Sequence, residues 1–324
     1  MNAGEHLAEH VRAGNRKAVA EALNLVENVR QDAKASVQRL LSALRHDDDK
    51  ALRIGVTGPP GAGKSTLCGV VATELRRREL RVALVAVDPS SARTGGSLLG
   101  DRIRTAWDPA DEGLFARSIA TGGALGGLSN AVPAAVRVLG CAFDVVLVET
   151  TGVGQTELDV RDVADVVLVV AQPGSGDALQ GIKAGIMEIP DLLVVNKSDL
   201  GESAERSARE LERSTMTPVV RVSATEGTGI DDLVESLLNV DRAPFAAARL
   251  RGELAWIFRQ FRTEFGAYGV RILGGEDVVK HDIETCLRET PSIPAIHHLG
   301  QRFLERIRHE TPPIGQTTNV KRES

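Results

Sequence analysis

The segment from Gly58 to Ser65 has the spacing of a phosphate-binding loop, with the sequence Gly-Pro-Pro-Gly-Ala-Gly-Lys-Ser between a predicted strand and a predicted helix. Glycines let such a loop curl so that successive N–H groups point at one phosphate, and the helix adds partial positive charge. Lys64 would reach the terminal phosphates, and the Ser65 hydroxyl would bind Mg²⁺. The two prolines have no N–H to donate, so the contacting amides should lie at 61–66. The predicted phosphate-contacting residues are Gly58, Gly61, Ala62, Gly63, Lys64, Ser65 and Thr66.

Acidic residues follow the predicted strands near this loop. The strand at 82–87 runs into Asp88, and Asp101 follows in the same connection. Ligands of parallel sheets lie beyond the carboxyl ends of the strands, so either aspartate could hold Mg²⁺ or position the attacking water. Their structural alternatives are a turn residue before proline and a helix N-cap. Glu149 ends another apolar strand, as the second metal-binding acid of nucleotide hydrolases does, and the N–H of Gly152 could approach the terminal phosphate.

A second motif, Asn-Lys-Ser-Asp beginning at Asn196, has the pattern that recognises a guanine base. The Asp199 carboxylate can accept hydrogen bonds from N1–H and from the 2-amino group of guanine, a pair of donors that adenine lacks. Lys197 would pack over the base, and Asn196 would tie this segment to the phosphate loop. Ser223 and Ala224 follow the next strand, where a backbone N–H could meet guanine O6. The two motifs in this order predict GTP and GDP as ligands rather than ATP.

Two connections carry residues that could act as switches. Many GTPases place a water-orienting glutamine directly after the glycine that Gly152 matches, but Val153 follows here and the nearest glutamine is Gln155. We therefore expect slow hydrolysis by the protein alone, completed by another component such as a partner. The connection after the strand at 165–171 holds polar residues that could bond across to another loop or simply lead into a helix. They are Gln172, Asp177, Gln180 and Lys183.

Residues 50–240 alternate between strand and helix patterns, which predicts an α/β fold with a mostly parallel sheet flanked by helices, as in P-loop NTPases. Continuous apolar runs within it are typical of strands buried on both faces. The predicted strands lie at 52–57, 82–87, 114–119, 144–149, 165–171, 191–195 and 218–222.

Helical patterns flank this nucleotide-binding domain on both sides. Residues 1–49 predict a helical arm, split by Asn15 as an N-cap, that would either cover the domain or dock a partner. Residues 241–312 predict a helical segment rich in aromatic residues, which favours a homodimer interface over packing against the chain's own core. Residues 313–324 have the composition of a disordered tail.

Composition argues against several other classes of protein. The net charge is −5 and aromatic residues make up 3% of the 324, which disfavours nucleic-acid binding. No apolar run approaches the about 18 residues of a membrane span. The three cysteines are far apart, as expected for reduced thiols in a cytoplasmic protein.

Taken together, these motifs resemble the MeaB/ArgK family of GTPases, to which the human methylmalonic aciduria type A protein belongs. Besides the two nucleotide motifs, the resemblance depends on the segments at 87–102, 148–155 and 176–183. It implies a homodimeric, GTP-hydrolysing chaperone that gates cofactor loading of an adenosylcobalamin-dependent acyl-CoA mutase, most often methylmalonyl-CoA mutase, and protects that enzyme. It also implies that 172–183 is a third switch that meets the mutase. The alternatives are a nickel-insertion GTPase for hydrogenase or urease, which should carry a Cys/His metal cluster, and a transport-associated kinase.

Overall fold

A computed structural model of the protein describes residues 3–28, 30, 33–44, 50–88, 110–120, 131–150, 159–173, 190–289 and 299–307. The chain forms two compact units, Met1–Glu253 and Leu254–Ser324. Within the described ranges, no helix combines the length and apolar character needed to cross a membrane.

Among the described residues of the first unit, seven parallel strands form one sheet in the order β3-β2-β4-β1-β5-β6-β7. The predicted α/β fold is confirmed, and each predicted strand is present with ends that differ by at most one residue from those expected. The strands are β1 (Leu52–Thr57), β2 (Val82–Asp88), β3 (Leu114–Ala120), β4 (Val145–Glu149), β5 (Val166–Ala171), β6 (Leu192–Val195) and β7 (Val219–Arg221).

The strand order places the functional segments side by side. Strand β1 lies between β4 and β5, and β6 lies next to β5. The carboxyl ends of these four strands lead into Glu149, the phosphate loop, Gln172 and Asn196. Because parallel strands end at one edge of the sheet, the topology alone brings these segments together.

Helices cover the sheet and extend the chain at both ends. The helices of the first unit are α1 (Ala3–Arg12), α2 (Arg16–Val26), α3 (Lys34–Ala43), α4 (Lys64–Arg77), α5 (Ala131–Gly140), α6 (Glu202–Ser214) and α7 (Ile230–Leu238). Helix α8 (Phe245–Ile272) begins in the first unit and is interrupted at Gly266, where φ is +65° and ψ is −171°. The second unit also contains α9 (Glu276–Glu289) and a helix at 299–307, and short 3₁₀ turns lie at Val160–Asp162 and Ser198–Leu200.

The N-terminal helices pack on the nucleotide-binding domain. Asn15 caps α2 as predicted, with its side-chain oxygen accepting from two backbone N–H groups of the first turn. Arg117 of β3 bonds to Glu27 and to Asn24, both at 2.8 Å, and Arg81 donates to the Gly14 carbonyl at 3.2 Å. Helix α5 is apolar on nearly all sides and is buried, which is typical of a helix between two layers. The described part of the arm therefore contacts the nucleotide-binding domain through both polar and apolar groups.

Asp111 joins helix α4 to the start of β3. Arg76 binds both oxygens of its carboxylate, at 3.0 and 2.9 Å, and the Gly113 N–H donates to it at 2.8 Å. These hydrogen bonds lower the pKa of Asp111, and the bond from Arg76 has the largest effect. A folded-state pKa below the unfolded value means that the stabilisation is present above about pH 4 and is lost as the pH falls through the folded-state pKa.

We therefore expect Asp111→Asn to lower the free energy of unfolding by about 1 kcal/mol at pH 7 and by clearly less at pH 3. Urea unfolding at the two pH values measures both differences. The matched control is Glu212→Gln, at an exposed position of α6, which should be within about 0.5 kcal/mol of wild type at pH 7. A loss of equal size at both pH values would contradict the role assigned to the Asp111 carboxylate.

Candidate nucleotide site

The loop between β1 and α4 has a backbone that requires glycine. The φ angles of Gly58, Gly61 and Gly63 are +134°, +80° and +86°, in the region that other residues rarely adopt. A Cβ on Gly58 would lie 2.2 Å from the carbonyl oxygen of Val170 in β5, so the loop also begins with a close backbone contact. The sequence motif therefore folds as a tight curl against the neighbouring strand, as the phosphate-binding prediction expects.

Lys64 begins α4 and is buried inside this curl. Its Nζ donates to the carbonyl oxygens of Gly58 at 2.8 Å and Pro59 at 3.0 Å. These bonds place a positive charge within the loop, beside the N-terminus of a helix that is itself partially positive. The Ala62 N–H donates within the loop to Pro59 at 3.3 Å. The arrangement can hold an anionic phosphate group through charge and oriented backbone dipoles together.

Ser65 and Glu149 meet beneath the loop. The Ser65 hydroxyl donates to Oε1 of Glu149 at 2.5 Å, and only 2% of Glu149 is exposed. Strand pairing explains the contact, because Glu149 lies opposite Val56 in the β1–β4 register, two residues before the loop begins. Hydroxyl and carboxylate oxygens are ligands that Mg²⁺ prefers, so these two side chains fit the predicted metal site.

The other predicted acidic and glycine positions are only partly described. Asp88 ends β2, and its backbone lies opposite Ala120 of β3, at the same edge of the sheet as the phosphate loop. Asp101 and Gly152 lie outside the described residues.

Cys68 lies one helical turn after the loop and is fully buried in the core cluster. Burial, and secondly the charge of Glu149, raise the pKa of its thiol well above the usual range, against the opposing effect of Lys64. The thiol is therefore neutral and unreactive near neutral pH.

Asn196 links three segments of the site. Its amide nitrogen donates to the carbonyl oxygen of Ala62 at 2.9 Å, and its amide oxygen accepts from the Ala224 N–H at 3.1 Å. The side chain is buried, so both bonds are shielded from water. The predicted tie between the second motif and the phosphate loop is therefore present in the structure. The Ala224 N–H, one of the two backbone groups predicted to be candidates for meeting guanine O6, here donates to this asparagine.

Asp199 and Lys197 are each held by a neighbour. Ser223 donates from its hydroxyl to Oδ1 of Asp199 at 2.6 Å, which orients the carboxylate. Lys197 has a φ of +61°, and its Nζ donates to the carbonyl oxygen of Gly61 at 2.9 Å, so its stem spans from the second motif to the phosphate loop. The sequence pattern predicted only a backbone role for Ser223. Its side chain has the further task of positioning the carboxylate predicted to read guanine.

Of the five predicted switch residues, the structure describes one. The side-chain oxygen of Gln172 lies beside the phosphate loop, 3.4 Å from where a Cβ on Gly61 would be. Gln155, Asp177, Gln180 and Lys183 lie outside the described residues.

One buried polar contact at the site was not predicted. Thr150, directly after Glu149, donates from its hydroxyl to Oγ1 of Thr57 at 2.8 Å. A single threonine at the end of an apolar strand is common, so nothing in the sequence marked this pair.

Comparison with known proteins identifies the family. The model of the family described as methylmalonyl-CoA mutase-associated GTPase MeaB matches residues 19–253. A protein of Mycobacterium tuberculosis named as a GTPase is 42% identical over 320 residues, which is 92% of this chain and 94% of that protein. The GTPase ArgK of Escherichia coli is 37% identical over 305 residues, covering 88% of this chain and 90% of ArgK.

A mammalian relative and a solved structure agree with this result. The mitochondrial methylmalonic aciduria type A homolog of Mus musculus is 35% identical over 261 residues, covering 73% of this chain and 63% of the mouse protein. A crystal structure described as a LAO/AO transport system kinase superimposes with a TM-score of 0.65 at 26% identity, covering 94% of this chain and 99% of that one.

The relatives and the geometry of the two motifs lead to one conclusion about the chemistry. Curated relatives across bacteria and archaea are named as GTPases, and this chain has the loop, the buried lysine and the oriented aspartate that guanine-nucleotide binding needs. The protein binds guanine nucleotides and hydrolyses GTP. The chain belongs to the MeaB family of methylmalonyl-CoA mutase-associated GTPases.

Proposed function

We propose that this GTPase is a cytoplasmic chaperone of an adenosylcobalamin-dependent acyl-CoA mutase, and the family description indicates methylmalonyl-CoA mutase as that partner. It would gate loading of the cofactor and protect the mutase. The observation that carries the proposal is the family match over residues 19–253, because that family is described by its association with this mutase. The name of the mouse relative, which refers to methylmalonic aciduria, supports the same metabolic connection.

The proposed hydrolytic mechanism is in-line attack of water on the γ-phosphate. Lys64 and the amides at 61–66 would bind the phosphates, and Ser65 and Glu149 would hold Mg²⁺. When bound, the metal would offset negative charge on the phosphate oxygens. The N–H of Gly152 would contact the γ-phosphate, and Asp88 or Asp101 would position the attacking water or help to hold the metal. Guanine would be held by Asn196, Lys197, Asp199, Ser223 and Ala224.

The switch and the oligomer are part of the same proposal. Hydrolysis by the protein alone would be slow, and the segment at 172–183 would meet the mutase and complete the site. The segment at 241–312 would form a homodimer interface. In support, Tyr268, Val278 and Leu304 expose between 41% and 51% of their surface in the second unit, whose own core contains Phe261 and Ile283. Apolar surface exposed in this unit would be available for a second copy of the chain to cover.

GTP turnover by the purified protein, alone and with methylmalonyl-CoA mutase from the same cell, tests the proposal. We expect slow turnover alone, at least tenfold faster turnover with the mutase, and little use of ATP in either case. Bovine serum albumin at equal concentration controls for unspecific effects of added protein.

Two results would each overturn part of the proposal. Guanine-selective turnover that the mutase leaves unchanged would contradict the partnership and would favour a different client, such as a nickel enzyme. Equal use of ATP would contradict the role of Asp199 and would favour a kinase.

A further inference from the structure

The strands that lead to the phosphate loop and to Glu149 are joined by two buried threonines. Thr57 is the last residue of β1, and Thr150 follows the last residue of β4. Their exposed fractions are 0% and 1%. The Thr150 hydroxyl donates to Oγ1 of Thr57 at 2.8 Å, and the Thr150 N–H donates to the Val56 carbonyl oxygen at 3.0 Å. One side-chain and one backbone hydrogen bond therefore connect the carboxyl ends of the two strands.

The two threonines are polar residues in a mainly apolar part of the sheet. The neighbouring positions in β1 and β4 are mainly valine, isoleucine and leucine. Valine has the shape of threonine, with a methyl group in place of the hydroxyl. Burying a hydroxyl is unfavourable unless it forms a hydrogen bond, so two valines would be at least as good for packing alone. A threonine pair adds a bond of fixed length between two side chains whose rotamers are restricted by β-branching. What the pair contributes is therefore a defined distance between the strand ends.

Both threonines adjoin the parts of the site that act on the phosphates. Thr57 directly precedes Gly58, where the phosphate loop begins in close contact with β5. Thr150 directly follows Glu149, whose carboxylate accepts from Ser65 on the other side of the loop. If the strand ends moved apart, Glu149 would move relative to the loop. A displacement of this kind alters the geometry of the reacting groups.

We propose that the Thr57–Thr150 hydrogen bond is a positioning link for GTP hydrolysis. It holds Glu149 in register with the phosphate loop and so acts on the hydrolytic step, while binding of the nucleotide depends on other groups. The inference rests on GTP hydrolysis by this protein and is independent of the proposed mutase partner.

Valine variants test the link in the full-length protein. The variants are Thr57→Val, Thr150→Val and the double variant, with Thr57→Ser and Thr150→Ser as conservative controls that keep the hydroxyl. Single-turnover hydrolysis, with protein in excess over GTP, isolates the chemical step. We expect each valine variant to hydrolyse GTP about tenfold more slowly, with affinity for GDP unchanged within about twofold. Both serine variants should hydrolyse GTP at nearly the wild-type rate.

Urea unfolding separates positioning from stability. Each single valine variant leaves one buried hydroxyl without its present partner and should be destabilised, whereas the double variant removes both hydroxyls and should regain most of the stability. We expect the double variant to be nearly as stable as wild type and still slow. A double variant with the wild-type rate would overturn the proposal. So would a loss of GDP affinity in parallel with the rate, which a purely structural role predicts.

Discussion

Replacing Asp199 by asparagine is expected to weaken GTP binding by on the order of 10⁴-fold, because a site built to bond a donor pair strongly rejects a mismatch. The Asp199 carboxylate is oriented by the Ser223 hydroxyl at 2.6 Å and can accept from both N1–H and the 2-amino group of guanine. The asparagine amide would present an NH₂ group to one of these donors. Titration calorimetry with GTP and GDP measures the loss.

The same variant should prefer a different base. Xanthine has a carbonyl oxygen where guanine has the 2-amino group, and the new amide NH₂ can donate to it. We expect Asp199→Asn to bind xanthosine triphosphate at least 100-fold more tightly than GTP. Ser223→Ala, which removes only the orienting hydrogen bond, is the graded control and should lose about tenfold in GTP affinity. An Asp199→Asn variant that still prefers GTP over xanthosine triphosphate would show that this residue does not read the base.

The second large effect concerns stability. It involves an ion pair at the amino ends of the strands, opposite the ends that carry the nucleotide site. Arg249 of helix α8 donates from Nε and from Nη2 to the two oxygens of Asp165, both at 2.6 Å, and Nη2 also donates to the Ala51 carbonyl at 2.6 Å. The Arg53 N–H donates to the same carboxylate at 2.8 Å. The side chains of Asp165 and Arg249 are 0% and 12% exposed. This buried ion pair attaches the start of α8 to strands β1 and β5.

We expect Asp165→Ala to lower the free energy of unfolding by about 3 to 5 kcal/mol, because it leaves a guanidinium buried without its carboxylate. Urea unfolding of the full chain, followed by circular dichroism, measures the change. The matched control is Glu205→Ala, which breaks an ion pair of α6 whose side chains are 51% and 61% exposed. That variant should lose less than about 0.5 kcal/mol. A similar loss in both variants would contradict the importance of burial at Asp165.

The fold was predictable from sequence because its signals are local. Strands β4 and β5 each begin with a continuous run of valine and leucine, so their positions follow from a short window of sequence. The order of the strands on either side of β1 cannot be obtained in this way. The two motifs predicted the functional edge of the sheet, because parallel strands present their carboxyl ends together.

The contacts that hold the site together were less predictable, because they join residues distant in sequence. Ser65 and Glu149 are 84 positions apart, and the bond from Asn196 to Ala62 spans 134. Known motifs led to both of these contacts. No motif led to the Thr57–Thr150 bond or to the pairing of Arg249 with Asp165, since threonine, arginine and aspartate are frequent at many positions. Such pairs become visible only when the register of the strands and the packing of α8 are known.

The most direct test of the proposed chaperone role is cofactor loading of the mutase itself. Apo-methylmalonyl-CoA mutase is incubated with this protein and free adenosylcobalamin, and the fraction of mutase sites filled is followed over time with GTP, GDP or a non-hydrolysable GTP analogue. We expect the loading rate to differ at least tenfold between GTP and the analogue. With Asp199→Asn, xanthosine triphosphate should replace GTP in this effect. If cofactor loading has the same rate with every nucleotide, and also in the absence of this protein, the proposed chaperone role is contradicted.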